Sequence, residues 1–523
     1  MSDLSPRRPA FGIKFWVALH LLLWTAIPTL VLPNITLDDV QILYWGREWQ
    51  LGYCKHPPLP SWIAESLAWA TGRTDAAMFF GAAACISLSL IAAYRLARVR
   101  FSPEISLAAV LTLEACHYYH VTGIELNNNT VLIPCWAWLV VSFWNALQRQ
   151  RTWDWIAVGI WLAAGMYVKY SHSLLILALL ATPLWLASAR SALRMRGPYL
   201  AALTALVLFV PHALWMWESH GVTITYALGR ASAEKRWTNH LLNPLKFLAA
   251  QTLAVGLVLA IFWWGKRRDR AAAIIEKSLP VDSSAQEFQI YVWWVTLAPA
   301  ALMLALSIVT GARLRSMWGA TFWTFLPIAL LTLRDWSPAI IPRLQMAGAT
   351  CALAIPLGFG IVEVAAPYCL ARPTRTIFPG RALAQTVDRV WHEHSRQPLR
   401  MVGGDWWLAG NAAYYSHDRP TVYAELSELE SPWCDDEIMN RTGGVLVLGA
   451  FKDTVAYRPR DFDQEFAALQ QRFPRLQRCG HVELAYQTGA KLRPTRVEIA
   501  IIPSDTETPL QTAAGESWRD IRK

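Results

Sequence analysis

Two adjacent carboxylates, Asp38 and Asp39, open the segment Asp38-Asp39-Val-Gln41-Ile-Leu-Tyr44-Trp45-Gly-Arg47-Glu48-Trp49, with an Arg, a Lys and a His close by in sequence. Gly52-Tyr53-Cys54-Lys55-His56-Pro57-Pro58-Leu59 follows closely. A carboxylate that takes a proton from an attacking hydroxyl, with cations that neutralise a departing phosphate, is what glycosyl transfer from a phosphate-linked donor requires. A structural role competes for the same residues. Thr36, Asp38 and Asp39 suit the N-terminus of a short helix through Trp49, where a carboxylate satisfies unpaired amides and meets the positive end of the helix dipole. Capping accounts for one acid, not two. Gly52 is expected to end that helix, and the two prolines to fix a turn carrying Lys55 and His56 back toward the Asp pair.

The elements that must position these residues are membrane helices. Of 523 residues, 54% are hydrophobic and only 16% charged, with 28 tryptophans, 18 phenylalanines and 16 tyrosines. This composition is too apolar for an ordinary soluble enzyme, and its aromatic bias suits the two faces of a bilayer. Net charge is +10, yet there is no long Lys/Arg run and no Cys-x-x-Cys spacing, which argues against a nucleic-acid partner. Eleven apolar blocks of membrane-spanning length are expected at 13–32, 78–97, 103–122, 130–147, 154–171, 173–189, 199–216, 244–264, 288–310, 316–333 and 344–366. The first has a basic lead, Arg7, Arg8 and Lys14, and lacks a small-x-small cleavage site, so it reads as a retained signal anchor. With the N-terminus in the cytoplasm, the inner segments, including Arg268, Arg270 and Lys277, carry twice the Lys and Arg of the outer ones. The odd number of spans then puts the chain after about residue 370 outside.

The expected organisation is a polytopic α-helical membrane domain over 1–370, with about 11 transmembrane helices and a catalytic first outer loop at 33–77. A soluble periplasmic α/β domain follows at 371–523. In this tail a helix is expected over Arg381 to Arg396, with others at Trp406 to Ser416 and Phe462 to Phe473. Strands are expected at Leu399 to Val402, Thr421 to Ala424, Gly444 to Leu448 and Val497 to Ile502. Cys434 and Cys479 both fall there and are candidates to pair in an oxidising compartment.

The first outer loop resembles that of bacterial GT-C glycosyltransferases, the superfamily of protein O-mannosyltransferases and lipid A aminoarabinosyltransferases. The resemblance rests on Asp38-Asp39, Gly52-Tyr53 and Lys55-His56-Pro57-Pro58-Leu59. It continues at Leu126-Asn127-Asn128-Asn129-Thr130, at Gly165-Met-Tyr-Val-Lys169-Tyr170-Ser171 and at Met317-Trp318-Gly319 after Arg313 and Arg315. Some relatives have Asp-Glu at the Asp pair and an Asp where Asn127 to Asn129 stand. The resemblance implies an inner-membrane enzyme that moves a sugar from a polyprenyl-phosphate carrier to a periplasmic acceptor, lipid A or another lipopolysaccharide component. It assigns Asp38 as general base with Asp39 supporting it, and Lys55, His56, Lys169, Arg313 and Arg315 as ligands of the donor phosphate. Tyr53, Tyr170, Arg230 and Arg236 belong to the substrate loops.

Each assignment has a plainer alternative. Lys169 ends an apolar block, where lysines snorkel to headgroups, and Arg313 and Arg315 suit lipid anchors. Asn127 to Asn129 suit a helix-capping turn. His117, His120 and His172 lie beside Tyr118, Tyr119 and Tyr170, but at no metal-ligand spacing, and read as core. A divalent metal is compatible with the chemistry, without a ligand motif for it. The stretch 218–243, with Tyr226, Arg230, Glu234, Lys235, Arg236, Trp237 and His240, reads as a long outer loop able to act as a lid or simply as solvated surface. In the tail, Asp405-Trp406-Trp407 and Trp433-Cys434-Asp435-Asp436 set aromatics beside polar groups, as where sugars stack or where the tail packs on the membrane domain. A transporter or flippase for a lipid-linked anionic sugar is the alternative function. It would bury its acids within the spans, whereas Asp38 and Asp39 follow the first block. A non-catalytic partner in an envelope complex is a third reading.

Overall fold

The computed structural model describes residues 12–505 apart from 232–235, 270–282, 371–372, 450, 453–455, 458–459, 487 and 489–491. Arg7, Arg8, Glu234, Lys235, Arg270 and Lys277 therefore lie outside the described residues. The chain forms two compact units that interleave in sequence. The first holds Met1–Pro28, Lys55–Pro60 and Phe79–Gly360; the second holds Thr29–Cys54, Ser61–Met78 and Ile361–Lys523.

Among the described residues of the chain, seven helices are long and apolar enough to cross a membrane: Ile13–Val31, Asp75–Ala97, Asn128–Arg149, Gly197–Glu218, Asn239–Arg268, Ser283–Thr310 and Ile341–Cys369. The protein is a multi-pass membrane protein. The other four apolar blocks are helical but shorter or broken. Block 103–122 is the helix Pro103–Leu113 followed by 3-10 turns, and 154–171 is the helix Thr152–Val168. Block 173–189 is interrupted near Pro183, and 316–333 holds only a 3-10 turn at Ser316–Gly319 and the helix Leu326–Leu331. Apolar length alone does not report these breaks, because proline and buried polar groups can interrupt a helix inside protein without exposing backbone to lipid.

Helix contact in the first unit uses small residues. A Cβ on Gly159 would come within 2.6 Å of the Ala201 carbonyl oxygen, so the helices Thr152–Val168 and Gly197–Glu218 meet at a glycine. The opposite side of the latter helix exposes Leu203, Leu206, Val207, Leu214 and Trp217, as a lipid-facing surface does. The unit also buries an acid that the sequence reading passed over. Glu114 accepts from His20 Nδ1 at 3.0 Å, both side chains being buried. His120 lies near them, against Trp24.

The second unit is built on a five-stranded sheet in the order Thr421–Ala424, Met401–Gly404, Gly444–Gly449, Thr495–Ile502, Gln477–Leu484. The first three are parallel, with Val402 opposite Val422 and Val445, and the last two pair antiparallel. The helices Gly380–His394, Trp406–Tyr415 and Phe462–Arg472 fall where the sequence pattern puts them. Asp461 caps the last of these, its Oδ1 accepting from the amides of Asp463 and Gln464 at 3.1 Å. The pattern misses the strand Gln477–Leu484, whose positions are mostly exposed and which carries a register shift between Arg478 and Gly480. It also misses the two-turn helix Asp436–Thr442. Cys434 and Cys479 do not pair: Cys434 is buried beside the Val422 carbonyl, and Cys479 lies on the edge strand.

Within this unit, residues 34–46 fold onto the sheet domain. Asn34 Nδ2 donates to Asn411 Oδ1 at 3.0 Å, and the Ile35 amide donates to the Tyr415 hydroxyl at 3.2 Å. Gly410 lets the helix Leu37–Gly46 approach the helix Trp406–Tyr415; a Cβ there would stand 2.6 Å from Val40 Cγ1.

Candidate active site

The helix that carries the Asp pair runs from Leu37 to Gly46. It stops before Trp49 and well before Gly52, contrary to the expected boundary. The chain leaves the helical path at Trp49, whose φ is +45°, and Gly46 lets it pass close to Ser61, whose carbonyl oxygen a Cβ would approach to 2.3 Å. The two carboxylates divide their work. Asp39 is fully buried, and its Oδ2 accepts from the Thr36 hydroxyl at 2.7 Å and from the Thr36 amide at 3.3 Å, so it closes the helix N-terminus. Asp38, one residue earlier in the first turn, is only half-buried. Tyr53 lies in the interior of the same unit, stacked on Trp45 at 5.1 Å between ring centroids and edge-on to Trp433.

The other predicted site residues belong to the first unit. Lys169 leaves the end of the helix Thr152–Val168, and its Nζ donates to Asn129 Oδ1 at 2.6 Å. The same ammonium lies 5.6 Å from the centroid of the Trp318 ring. Asn127 forms the capping turn, its Oδ1 accepting from the amides of Asn129 and Thr130 at 2.8 and 3.1 Å, while Asn128 Nδ2 donates to the Val168 carbonyl at 2.7 Å. Three segments distant in sequence thus meet at Lys169. The sequence reading gives Asn129 only a capping role and Trp318 none, although both lie in the motifs that carry the resemblance.

His56 is half-buried and edge-on to Tyr226, with ring centroids 5.8 Å apart. Burial, reinforced by Lys169, Lys55 and Arg230, pushes the imidazole down to about 3, so it is neutral between pH 5 and 8 and adds a hydrogen-bonding ring instead of another cation. Arg315 is lowered from its usual value by burial and then by Arg230 and Arg313, and its Nε is buried without a hydrogen-bond partner among the described residues. The Arg313 amide donates to the Ala231 carbonyl at 3.0 Å, which ties this segment to the helix Val222–Ala231. Tyr170 anchors the other side of that helix: its hydroxyl bonds His212 Nε2 at 2.9 Å and Thr223 Oγ1 at 2.8 Å. Tyr170 thus links the helices Gly197–Glu218 and Val222–Ala231. The expected long loop at 218–243 contains this ten-residue helix, which carries Tyr226 and Arg230, and Arg236 is exposed ahead of the helix that begins at Asn239.

Lys55, Lys169, Arg230, Arg313 and Arg315 thus form one electrostatic neighbourhood around His56 and Tyr226. The described residues bring together no group of three or more His, Cys, Asp or Glu able to hold a metal ion. His172 is buried against Trp136 and fills the space left by Gly165, where a Cβ would meet its ring at 2.4 Å.

The fold is that of ArnT from Cupriavidus metallidurans, solved bound to undecaprenyl phosphate. The two match with a TM-score of 0.61 at 13% identity, over 95% of this chain and 99% of that one. This defines a GT-C membrane architecture. The family model for dolichyl-phosphate-mannose-protein mannosyltransferase matches residues 55–215. The lipopolysaccharide core galacturonosyltransferase RgtA of Rhizobium johnstonii is 25% identical over 490 residues, 88% of this chain and 91% of its own length. The undecaprenyl phosphate-α-4-amino-4-deoxy-L-arabinose arabinosyl transferase 2 of Sodalis glossinidius is 26% identical over 175 residues, 31% of this chain and 32% of its own. The sequence matches are thus to named glycosyltransferases, and the fold they are joined by is of the GT-C type.

Proposed function

We propose that this protein transfers a hexuronic acid from a polyprenyl-phosphate carrier to a sugar hydroxyl of lipid A or the lipopolysaccharide core, at the periplasmic face of the inner membrane. The observation that carries the reading is the cluster of Lys55, Lys169, Arg230, Arg313 and Arg315, in which the charged groups acting on His56 are all cations. A phosphodiester-linked donor brings one negative charge and its departing phosphate monoester brings up to two, so five cations leave positive charge for a carboxylate on the sugar. A relative named as a galacturonosyltransferase over most of this chain agrees with an acidic sugar. In the reaction the acceptor oxygen attacks the anomeric carbon, its proton passes to Asp38, and the bond to the phosphate oxygen breaks. Lys169 and its neighbours stabilise the charge on the leaving group, and Asp39 holds the helix that presents Asp38.

The test is reconstitution of the full-length protein in nanodiscs with rough lipopolysaccharide and either undecaprenyl-phosphate galacturonic acid or its neutral galactose counterpart. Mass spectrometry should find hexuronate added from the first donor and little from the second. Equal use of both removes the acidic sugar from the reading; use of neither overturns the transferase reading.

One displacement on one face of the sugar inverts the anomeric centre. NMR of the product should show the opposite anomer from the donor, and trapping a glycosyl-enzyme on any side chain overturns the single-step mechanism. The orientation is tested separately. A reporter active only outside the cytoplasm should work when fused after Ser504 and stay silent after Arg268, and a silent Ser504 fusion would reverse the orientation of the second unit.

A further inference from the structure

A small pocket in the second unit is lined by residues of the helices Leu37–Gly46, Leu59–Thr71 and Trp406–Tyr415 and the turns that follow them, and three of its lining residues are arginines. Arg47, Arg73 and Arg419 line it with Tyr44, Tyr414 and a single carboxylate, Glu65. Glu65 is buried and accepts from Arg419 Nη2 at 2.6 Å. Arg73 Nη1 donates to the carbonyls of Tyr414 and Ser416 at 3.3 and 2.8 Å, partners that carry no charge. Arg47 Nε stands 3.9 Å from Glu48, outside hydrogen-bond reach. Three guanidinium groups against Glu65 and the flanking Glu48 leave net positive charge. Arg419 repels both neighbours: Arg73 is lowered by burial first and then by Arg419, and Arg47 by burial first, with Glu48 opposing the shift and Arg419 adding to it. An oxyanion relieves that repulsion, and the fork geometry of arginine matches the paired oxygens of a phosphate or carboxylate.

Helix geometry separates this pocket from the base. At 100° per residue, Leu43, Tyr44 and Arg47 share one side of the Leu37–Gly46 helix and its C-terminal turn, while Asp38 faces the other way. Nine residues from Asp38 to Arg47 make roughly 13 Å along the axis at 1.5 Å per residue. We propose that the pocket formed by Arg47, Arg73 and Arg419 binds a phosphate or carboxylate of the acceptor glycolipid, remote from the hydroxyl that reacts. This assignment rests on the transferase reading above, in which the same helix presents Asp38 to the acceptor. It makes the pocket a determinant of which acceptors are used.

Two variants change the pocket in opposite senses. Glu65→Gln removes the carboxylate that competes for Arg419, and Arg47→Gln removes a cation that has no hydrogen-bonded ion pair. Inorganic phosphate is titrated against the full-length protein in neutral-lipid nanodiscs, with binding read by calorimetry. Glu65→Gln should tighten phosphate binding by about 10-fold and Arg47→Gln should weaken it by about 10-fold. A merely structural Glu65–Arg419 pair predicts lower thermal stability for Glu65→Gln and no tighter binding. Unchanged phosphate affinity in both variants overturns the pocket; if Glu65→Gln does not fold, unchanged affinity in Arg47→Gln alone overturns it. The second arm measures acceptor KM with core lipopolysaccharide before and after enzymatic removal of its phosphates, and with carboxyl-reduced acceptor. Arg47→Gln should raise KM about 10-fold for the native acceptor and abolish the difference between native and neutralised acceptors. Altered phosphate binding with an unaltered acceptor preference would mean the pocket takes free phosphate, which overturns the acceptor assignment. The calorimetry needs no turnover, so the pocket stands or falls separately from the transferase reading.

Discussion

Asp38→Asn is expected to lower turnover by roughly 10²-fold or more in a protein that folds and inserts normally. The substitution keeps the shape of the side chain and most of its hydrogen bonding while deleting its basicity. The arrangement at the N-terminus of the Leu37–Gly46 helix makes the outcome diagnostic. Asp39, not Asp38, receives the Thr36 hydroxyl and amide, so the loss cannot be charged to an uncapped helix. Asp39→Ala should show the complementary behaviour, a stability loss of about 1 kcal/mol from the broken cap. The check is single-turnover transfer with saturating donor, alongside a thermal-unfolding comparison of the purified variants. Near-normal transfer by Asp38→Asn would remove this residue from the mechanism.

Lys169→Ala should raise the donor KM by roughly 10- to 100-fold, the equivalent of one charge-assisted hydrogen bond worth about 1.5–3 kcal/mol. The ammonium is held by Asn129 and faced by the Trp318 ring, which fixes it in one place instead of leaving it to wander toward headgroups. A snorkelling lysine predicts an unchanged donor KM. Measuring KM for the lipid-linked donor at fixed acceptor separates the two, and an unchanged value sinks the phosphate role. Asn129→Ala, which removes the neutral acceptor that orients Lys169, should move the same constant in the same direction by less.

Much of this was legible before any coordinates. The parallel strands of the second unit announce themselves as short β-branched and apolar runs, Thr421–Ala424 and Gly444–Gly449, because both faces of such strands are buried. The membrane helices announce themselves by length and apolarity. What stayed hidden had no local signature. The edge strand Gln477–Leu484 has almost no buried face to produce alternation. The stretch 218–243 reads as polar loop, yet Val222–Ala231 is helical because Tyr170 and Arg313 hold it from two sides through contacts distant in sequence. At the site, the residue types were readable and their roles were not. Two neighbouring aspartates look alike in a string of letters; only the Thr36 contacts distinguish the one that builds the helix from the one left half-exposed. The same holds for His56, where a titratable ring among cations becomes a neutral one.

The stretch 29–54 belongs to the same compact unit as the C-terminal sheet domain, fastened through Asn34 to Asn411, through Ile35 to Tyr415 and by the close approach at Gly410. The C-terminal domain is thus not a detachable module. A truncation after the last long helix would strip the Asp38 loop of its support, and a chimera made by exchanging only the tail between two such enzymes would present each loop with a foreign surface. Inheritance of the tail and of the first loop is therefore coupled: a lineage that changes the face of Trp406–Tyr415 must change the face of Leu37–Gly46 in step.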